Sequence, residues 1–145
     1  MQIMEIDSRI AAFIRRHHVL TLATCRENTP WCANIFYAWM AAENLFVFTT
    51  DITTRHGEEM GRNPEVAASI VLETNIVGLV RGVQVCGMAA RPEGAELEKV
   101  RRAYLRRFPY AAMADLELWT LRPTHIKLTD NRLGFGKKIE WHESQ

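Results

Sequence analysis

The chain has 145 residues, 48% of them hydrophobic and 24% charged, with a formal net charge of +1. This is the composition of an ordinary globular domain, long enough to bury roughly two-thirds of its unfolded surface. It excludes a charge-driven case for nucleic acid, and no apolar run reaches the ~20 residues of a helical membrane span.

Asp7 or Ser8 can cap a first helix, with Ile6, Ile10, Phe13 and Ile14 on one face. Arg15, Arg16, His17 and His18 fall at its end, where cations suit the helix dipole. Residues 19–24 read as a strand, Arg26-Glu27-Asn28-Thr29 as a hairpin turn, and 31–40 as a second strand. Glu43-Asn44 marks the next turn and 45–50 the third strand. A hydroxyl-rich turn follows, then a short helix beginning near Arg55 and an Asn63-Pro64 turn into a strand over 66–72. Residues 76–90 read as one long strand, whose Gly78, Gly82 and Gly87 suit bulges or the sharp coiling of a small barrel.

After Pro92 comes a helix with Glu93, Glu96 and Glu98 early and Lys99, Arg101, Arg102, Arg106 and Arg107 late. That order matches the dipole, and Leu97, Val100, Tyr104 and Phe108 form its buried stripe. Closing strands are expected near 124–128 and 136–141. Many antiparallel strands joined by tight turns, with three helices outside, predict an α+β barrel. Closure removes the exposed edges that so many strands would leave. A single domain over 1–145 is expected, since no linker or repeat interrupts the chain.

The turn from Thr49 to His56 is the most informative stretch. It gathers Thr49, Thr50, Thr53, Thr54, Arg55 and His56 at a helix start, where orphan N–H groups and the positive dipole end also point. Two readings stand side by side: a threonine-capped helix, or a seat for a phosphate.

Other candidates have plainer readings. Arg81 suits an ion pair at a subunit interface or contact with a ligand, and Trp31, Trp39, Trp119 and Trp141 suit core and interface. His17, His18, His56, His125 and His142 show no HxxxH or HExxH spacing, so no metal site is expected. Cys25, Cys32 and Cys86 are odd in number and lack CxxC spacing, which fits reduced thiols; Cys32 reads as a reactive thiol or a small buried residue. Gly134-Phe135-Gly136 lacks the third glycine and the βαβ context of a dinucleotide loop. The first residues carry no basic segment followed by an apolar one, so a cytoplasmic location is expected.

Phe46-Val47-Phe48-Thr49-Thr50, Thr54-Arg55-His56 and Asn63-Pro64-Glu65-Val66-Ala67 resemble the phosphate-binding stretch of the pyridoxamine 5′-phosphate oxidase-like, FMN-binding split-barrel superfamily. More closely, five blocks spread over nearly the whole chain resemble the YhbP-like bacterial family. They are Trp31-Cys32-Ala33-Asn34, Thr54-Arg55-His56, Arg81-Gly82-Val83-Gln84, Arg106-Arg107-Phe108-Pro109, and Thr129-Asp130-Asn131 with Leu133 to Lys138.

The resemblance implies a mostly antiparallel, Greek-key split β-barrel with flanking helices, forming a homodimer with FMN in grooves between the subunits. It places Thr49 and Thr50 beside the ribityl chain and phosphate, and Thr54 and Arg55 on the phosphate. His56 stands where the family often has lysine, exchanging a permanent charge for a neutral donor. The strand holding Asn34 and Ile35 would run beside the isoalloxazine ring. Gly82 falls where the oxidase has a glutamine touching flavin, and Gln84 is the available substitute. The arginine and histidine that grip substrate phosphate have no clear match in residues 138–142, so pyridoxamine phosphate oxidation itself is not expected.

The leading functional reading is therefore a flavin-dependent oxidoreductase of unassigned small-molecule substrate, with unknown catalytic residues. Its alternative is a non-catalytic flavin- or haem-binding module, with His17, His18 or His56 as the haem ligand. A third is a scaffold or RNA partner using the basic helix, although neither nucleic acid nor membrane is the expected partner.

Overall fold

The computed structural model describes residues 5–134 and 136–143. Phe135, inside the glycine-flanked stretch singled out above, and Met1 to Met4 lie outside the described residues. In chain order the elements are α1 (Ser8–Arg16), β1 (Val19–Arg26), β2 (Thr29–Met40), β3 (Leu45–Thr49), α2 (Arg55–Arg62), β4 (Glu65–Leu72), β5 (Arg81–Ala90), α3 (Gly94–Arg107), β6 (Leu118–Asp130) and β7 (Lys138–His142).

Neighbouring strands run β3-β2-β1-β4-β5-β6-β7, and a further β3–β6 ladder from Phe46↔Leu121 to Thr49↔Leu118 closes the barrel. Every pairing is antiparallel. Closure is possible because β6 serves two neighbours in turn: residues 118–121 pair with β3 and residues 125–129 with β7. The strand bends between those halves at a bulge. Cys86 faces His125 and Gly87 faces Pro123, which leaves Thr124 as the extra residue. Pro123, with no N–H to donate, is tolerated at such an irregularity.

Side-chain alternation fills the barrel. Tyr37, Phe46, Phe48, Leu20, Leu22, Met60, Leu121 and Ile126 are fully buried inside it. Each such large apolar side chain contributes about 1.5–3 kcal/mol relative to exposure. Helix α1 packs its apolar face into the same core. Asp7 caps it by accepting from Arg9 N at 2.8 Å, and Ile10, Phe13 and Ile14 are its buried face. The Tyr37 hydroxyl ties the helix to the barrel by donating to Ile14 O at 2.6 Å. Helix α3 covers the outside of β2 and β3, with Val100 and Tyr104 packed against Ala38, Val47 and Leu118.

Two expectations needed correction. Residues 76–90 are not one strand: 77–79 form a 3-10 turn, and β5 begins at Arg81. The strand expected over 124–128 is the second half of a 13-residue β6.

Candidate functional site

The corner between β3 and α2 brings together five of the residues expected to bind a cofactor: Thr49, Thr50, Thr54, Arg55 and His56. Asp51 folds the turn back on itself by accepting from Thr53 N at 2.8 Å and Thr53 Oγ1 at 2.7 Å. Thr54 is the N-cap of α2. Its hydroxyl accepts from Gly57 N at 3.1 Å and donates to Asp51 O at 2.7 Å. Glycine is required at 57, because a Cβ there would overlap the Asp51 carbonyl oxygen and lie 2.9 Å from Thr54 Oγ1. The backbone therefore closes tightly over the helix start.

Capping leaves donors unspent. The N–H groups of Arg55 and His56 have no backbone acceptor among the described residues, as befits the first turn of a helix. The guanidinium carbon of Arg55 lies over the Trp31 ring, 4.2 Å from its centroid, and Nε donates to Glu59 Oε2 at 3.0 Å. Its Nη1 and Nη2 atoms make no hydrogen bond among the described residues, and about half of the side chain is exposed. A guanidinium fixed by an aromatic ring and by one carboxylate presents its remaining edge in a defined direction.

Glu59 is buried, and its other oxygen accepts from Thr24 Oγ1 at 2.7 Å. The Thr24 hydroxyl, then Arg55, hold its carboxyl below the usual range. Thr50 is buried, and its hydroxyl meets His56 Nε2, with Thr54 Oγ1 also 3.4 Å from that nitrogen. Burial pushes His56 below its ordinary value, against the smaller opposing pull of Glu59. The ring is thus neutral at pH 7 and supplies hydrogen bonding rather than charge. Thr49 Oγ1 lies 3.5 Å from the Tyr104 hydroxyl, which joins the corner to α3.

The remaining expected residues sit elsewhere. Asn34 and Gln84 lie on the outer face of the sheet, where Thr21 and Ser69 stand between them in register. Asn34 Oδ1 accepts from Thr21 Oγ1 at 2.7 Å. Gln84 lines a groove of about 390 Å³ with Thr21, Ser69, Cys86, His125 and Lys127. No hydrogen bond among the described residues joins Asn34 or Gln84 to the corner. Ile35 turns its side chain into the core at 9% exposure, so only its backbone could line a groove. Arg81 stands opposite Asp130, but Arg132 occupies that carboxylate at 2.9 Å, and Arg81 Nε is buried without a partner among the described residues. Cys32 is exposed rather than a buried filler.

Sequence reasoning missed Glu59, Thr24, Trp31 and Glu117, whose carboxylate accepts from Ile52 N at 2.9 Å. The spacing of Arg55 and Glu59, four apart on a helix, was the available signal for one pair. The others meet only through the fold.

A closed antiparallel barrel flanked by helices defines the fold class, and comparison with known proteins agrees. The family profile for pyridoxamine 5′-phosphate oxidase matches residues 6–130. A UPF0306 protein of Photorhabdus laumondii is 46% identical over 91% of this chain and 92% of its own. The UPF0306 protein YhbP of Escherichia fergusonii is 41% identical over 97% of this chain and 96% of its own. The chain therefore belongs to the pyridoxamine 5′-phosphate oxidase-like superfamily and, within it, to the UPF0306 (YhbP) family.

Solved structures agree on the fold. A haem-binding protein of Mycobacterium smegmatis superposes with a TM-score of 0.74 at 26% identity, over 87% of this chain and 53% of that one. A FAD-binding protein of Mesorhizobium loti superposes with a TM-score of 0.69 at 13% identity, over 88% of this chain and 97% of that one.

Proposed function

We propose that the chain binds FMN with its phosphate on the β3–α2 corner, and that it works as a flavin-dependent oxidoreductase on a small molecule. The observation that carries this reading is the unspent donor set. Two first-turn N–H groups and the Nη atoms of Arg55 lie at one turn, beside the Thr50 and Thr54 hydroxyls, which are already hydrogen-bonded to His56 and Asp51. Such a set fits a phosphate dianion. Arg55 would carry the charge, and His56, neutral, would orient the Thr50 hydroxyl. Bound flavin supplies hydride or electron transfer, while the protein supplies position and polarity.

The site would be completed by a second copy of the chain. The outer sheet face exposes Val19, Phe36 and Val71, with Ile76, Val77 and Leu79 also solvent-exposed. Exposed large apolar side chains gathered in this way mark interaction surfaces. Asn34 and Gln84 stand on the same face, in position to meet a ligand held between two barrels.

The test is FMN titration of the untagged chain, followed by absorbance. One flavin per chain is expected. Arg55→Ala should weaken uptake roughly 10- to 100-fold, the size of one lost charge-assisted hydrogen bond. A thermal melt of the variant separates this loss from unfolding, and unchanged affinity in a folded variant would remove the phosphate seat. The Mycobacterium smegmatis relative favours a second reading, a haem-binding module. A Soret band abolished by replacement of His17, His18 or His56, with no flavin uptake, would select it.

A further inference from the structure

The outer margin of the sheet holds a second constellation, far from the corner in sequence. His125 and His142 are direct partners across the β6–β7 ladder, and Glu140 lies two residues before His142 on the same face of β7. The two imidazoles stack at 4.2 Å between centroids and 8° between planes. Glu140 Oε1 lies 3.0 Å from His125 Nε2. One ligand atom from each of the three residues lies within 4.8 Å of the other two.

We propose that His125, Glu140 and His142 form a site for a divalent transition metal, with zinc as its simplest occupant. Imidazole nitrogens and a carboxylate oxygen are ligands of that ion at about 2.0–2.2 Å. A tetrahedral arrangement at such lengths separates ligand atoms by about 3.3–3.5 Å. The 3.0 Å between His125 Nε2 and Glu140 Oε1 is close to that value, and the stacked imidazoles must rotate for their in-plane lone pairs to converge on one ion. All three side chains are at least partly exposed, which gives the ion an entry path. The three ligands leave the fourth position to water.

Their relative placement is fixed by the fold. The bulge at Thr124 sets which face of β6 His125 occupies. Thr124 Oγ1 donates to Cys86 O at 3.2 Å, and Glu143 N donates to Thr124 O at 2.9 Å, so both flanking strands hold the bulge. Arg122 and Glu143, near His125 and His142 in sequence, pair with each other, and Lys127 stands opposite Glu140 in register. Lys127 is thus a cation beside the site in the ladder, and its charge opposes that of the ion. The absence of HxxxH spacing did not bear on this site, because the ladder unites residues 17 apart in the chain.

The experiment is calorimetric titration of the untagged, chelator-stripped chain with Zn²⁺, paralleled by Co²⁺ titration read in the visible spectrum. One Zn²⁺ per chain is expected, with Co²⁺ giving the intense d–d bands of a four-coordinate site. His125→Ala and His142→Ala should each weaken binding by about 100-fold, and Glu140→Gln by about 10-fold, judged against typical losses at metal sites. A Cys32→Ser control, at an exposed thiol outside the site, should bind as the wild type does. Zinc should raise the melting temperature of wild type but not of the His125→Ala/His142→Ala variant. Binding unaffected by that double replacement, or one ion shared between two chains, would overturn the proposal, as would no saturable binding.

Discussion

At the scale of single residues, the corner is held by buried polar groups that lean on one another. Glu59 is buried because two donors, Thr24 and Arg55, satisfy its carboxylate. His56 is neutral because burial outweighs the pull of that carboxylate. Its folded value lies below the unfolded 6.5, so the unfolded chain binds more protons as the solution is acidified. The stability it contributes is complete above pH 6.5 and falls as pH drops through the folded value. His17, depressed by burial and then by Arg81, acts in the same direction. Melting temperature should therefore fall between pH 7 and 5, before carboxylates with ordinary values near 4.5 titrate. His56→Gln should flatten that slope, whereas an unchanged slope would show that His56 is not held neutral. At Gly57 the added methyl of alanine would meet the Asp51 carbonyl and should cost about 1–3 kcal/mol, as read from denaturant unfolding.

Elements show where local signals suffice. The Glu27-Asn28 turn was legible as polar turn residues between two apolar runs, and both residues adopt the positive φ, 49° and 66°, of a two-residue hairpin. Helix α1 was legible from its apolar face and cap, and α2 from threonine before a charged run. What escaped were features that exist only through pairing. Residues 118–123 carry a proline and mixed polarity, so nothing local announces a strand; β3 on one side and β5 on the other impose it. Residues 76–80 have the composition of a strand, yet Val77 to Leu79 turn instead, and Asn131 secures that turn by donating to Val77 O at 2.8 Å. At the candidate site, the threonines, Arg55 and His56 were legible as a cluster because they are contiguous. Glu59 with Thr24, and Trp31 under Arg55, were not, because they arrive from other elements. The bend in β6 offers its own test. A Cβ at Gly87 would lie 2.5 Å from Arg122 O and 2.6 Å from Leu121 Cδ2. Gly87→Ala should therefore destabilise the fold by about 1–3 kcal/mol or more, since a backbone atom cannot step aside. A neutral result in denaturant titration would contradict the bend as described.

At the scale of the whole molecule, one barrel presents two faces of different chemistry. The β3–α2 corner gathers donors, while the outer sheet face exposes Phe36, Val71 and Val19. A stable interface buries about 800 Å² on each partner, and a face of this kind supplies the apolar centre such a surface needs. Phe36→Glu should convert the proposed dimer to a monomer in sedimentation velocity and should weaken flavin uptake with it. A variant that stays dimeric would move the interface elsewhere. No helix among the described residues is long and apolar enough to cross a membrane.

Comparison of FMN with riboflavin, which differ only in the phosphate, tests the central claim most directly. Fluorescence quenching should show the wild-type chain preferring FMN roughly 100-fold, the combined size of two charge-assisted hydrogen bonds at their weaker end. Arg55→Ala should erase most of that preference while leaving riboflavin affinity nearly unchanged. Equal affinity for the two flavins, or a preference that survives the loss of Arg55, would contradict a phosphate seated on the β3–α2 corner.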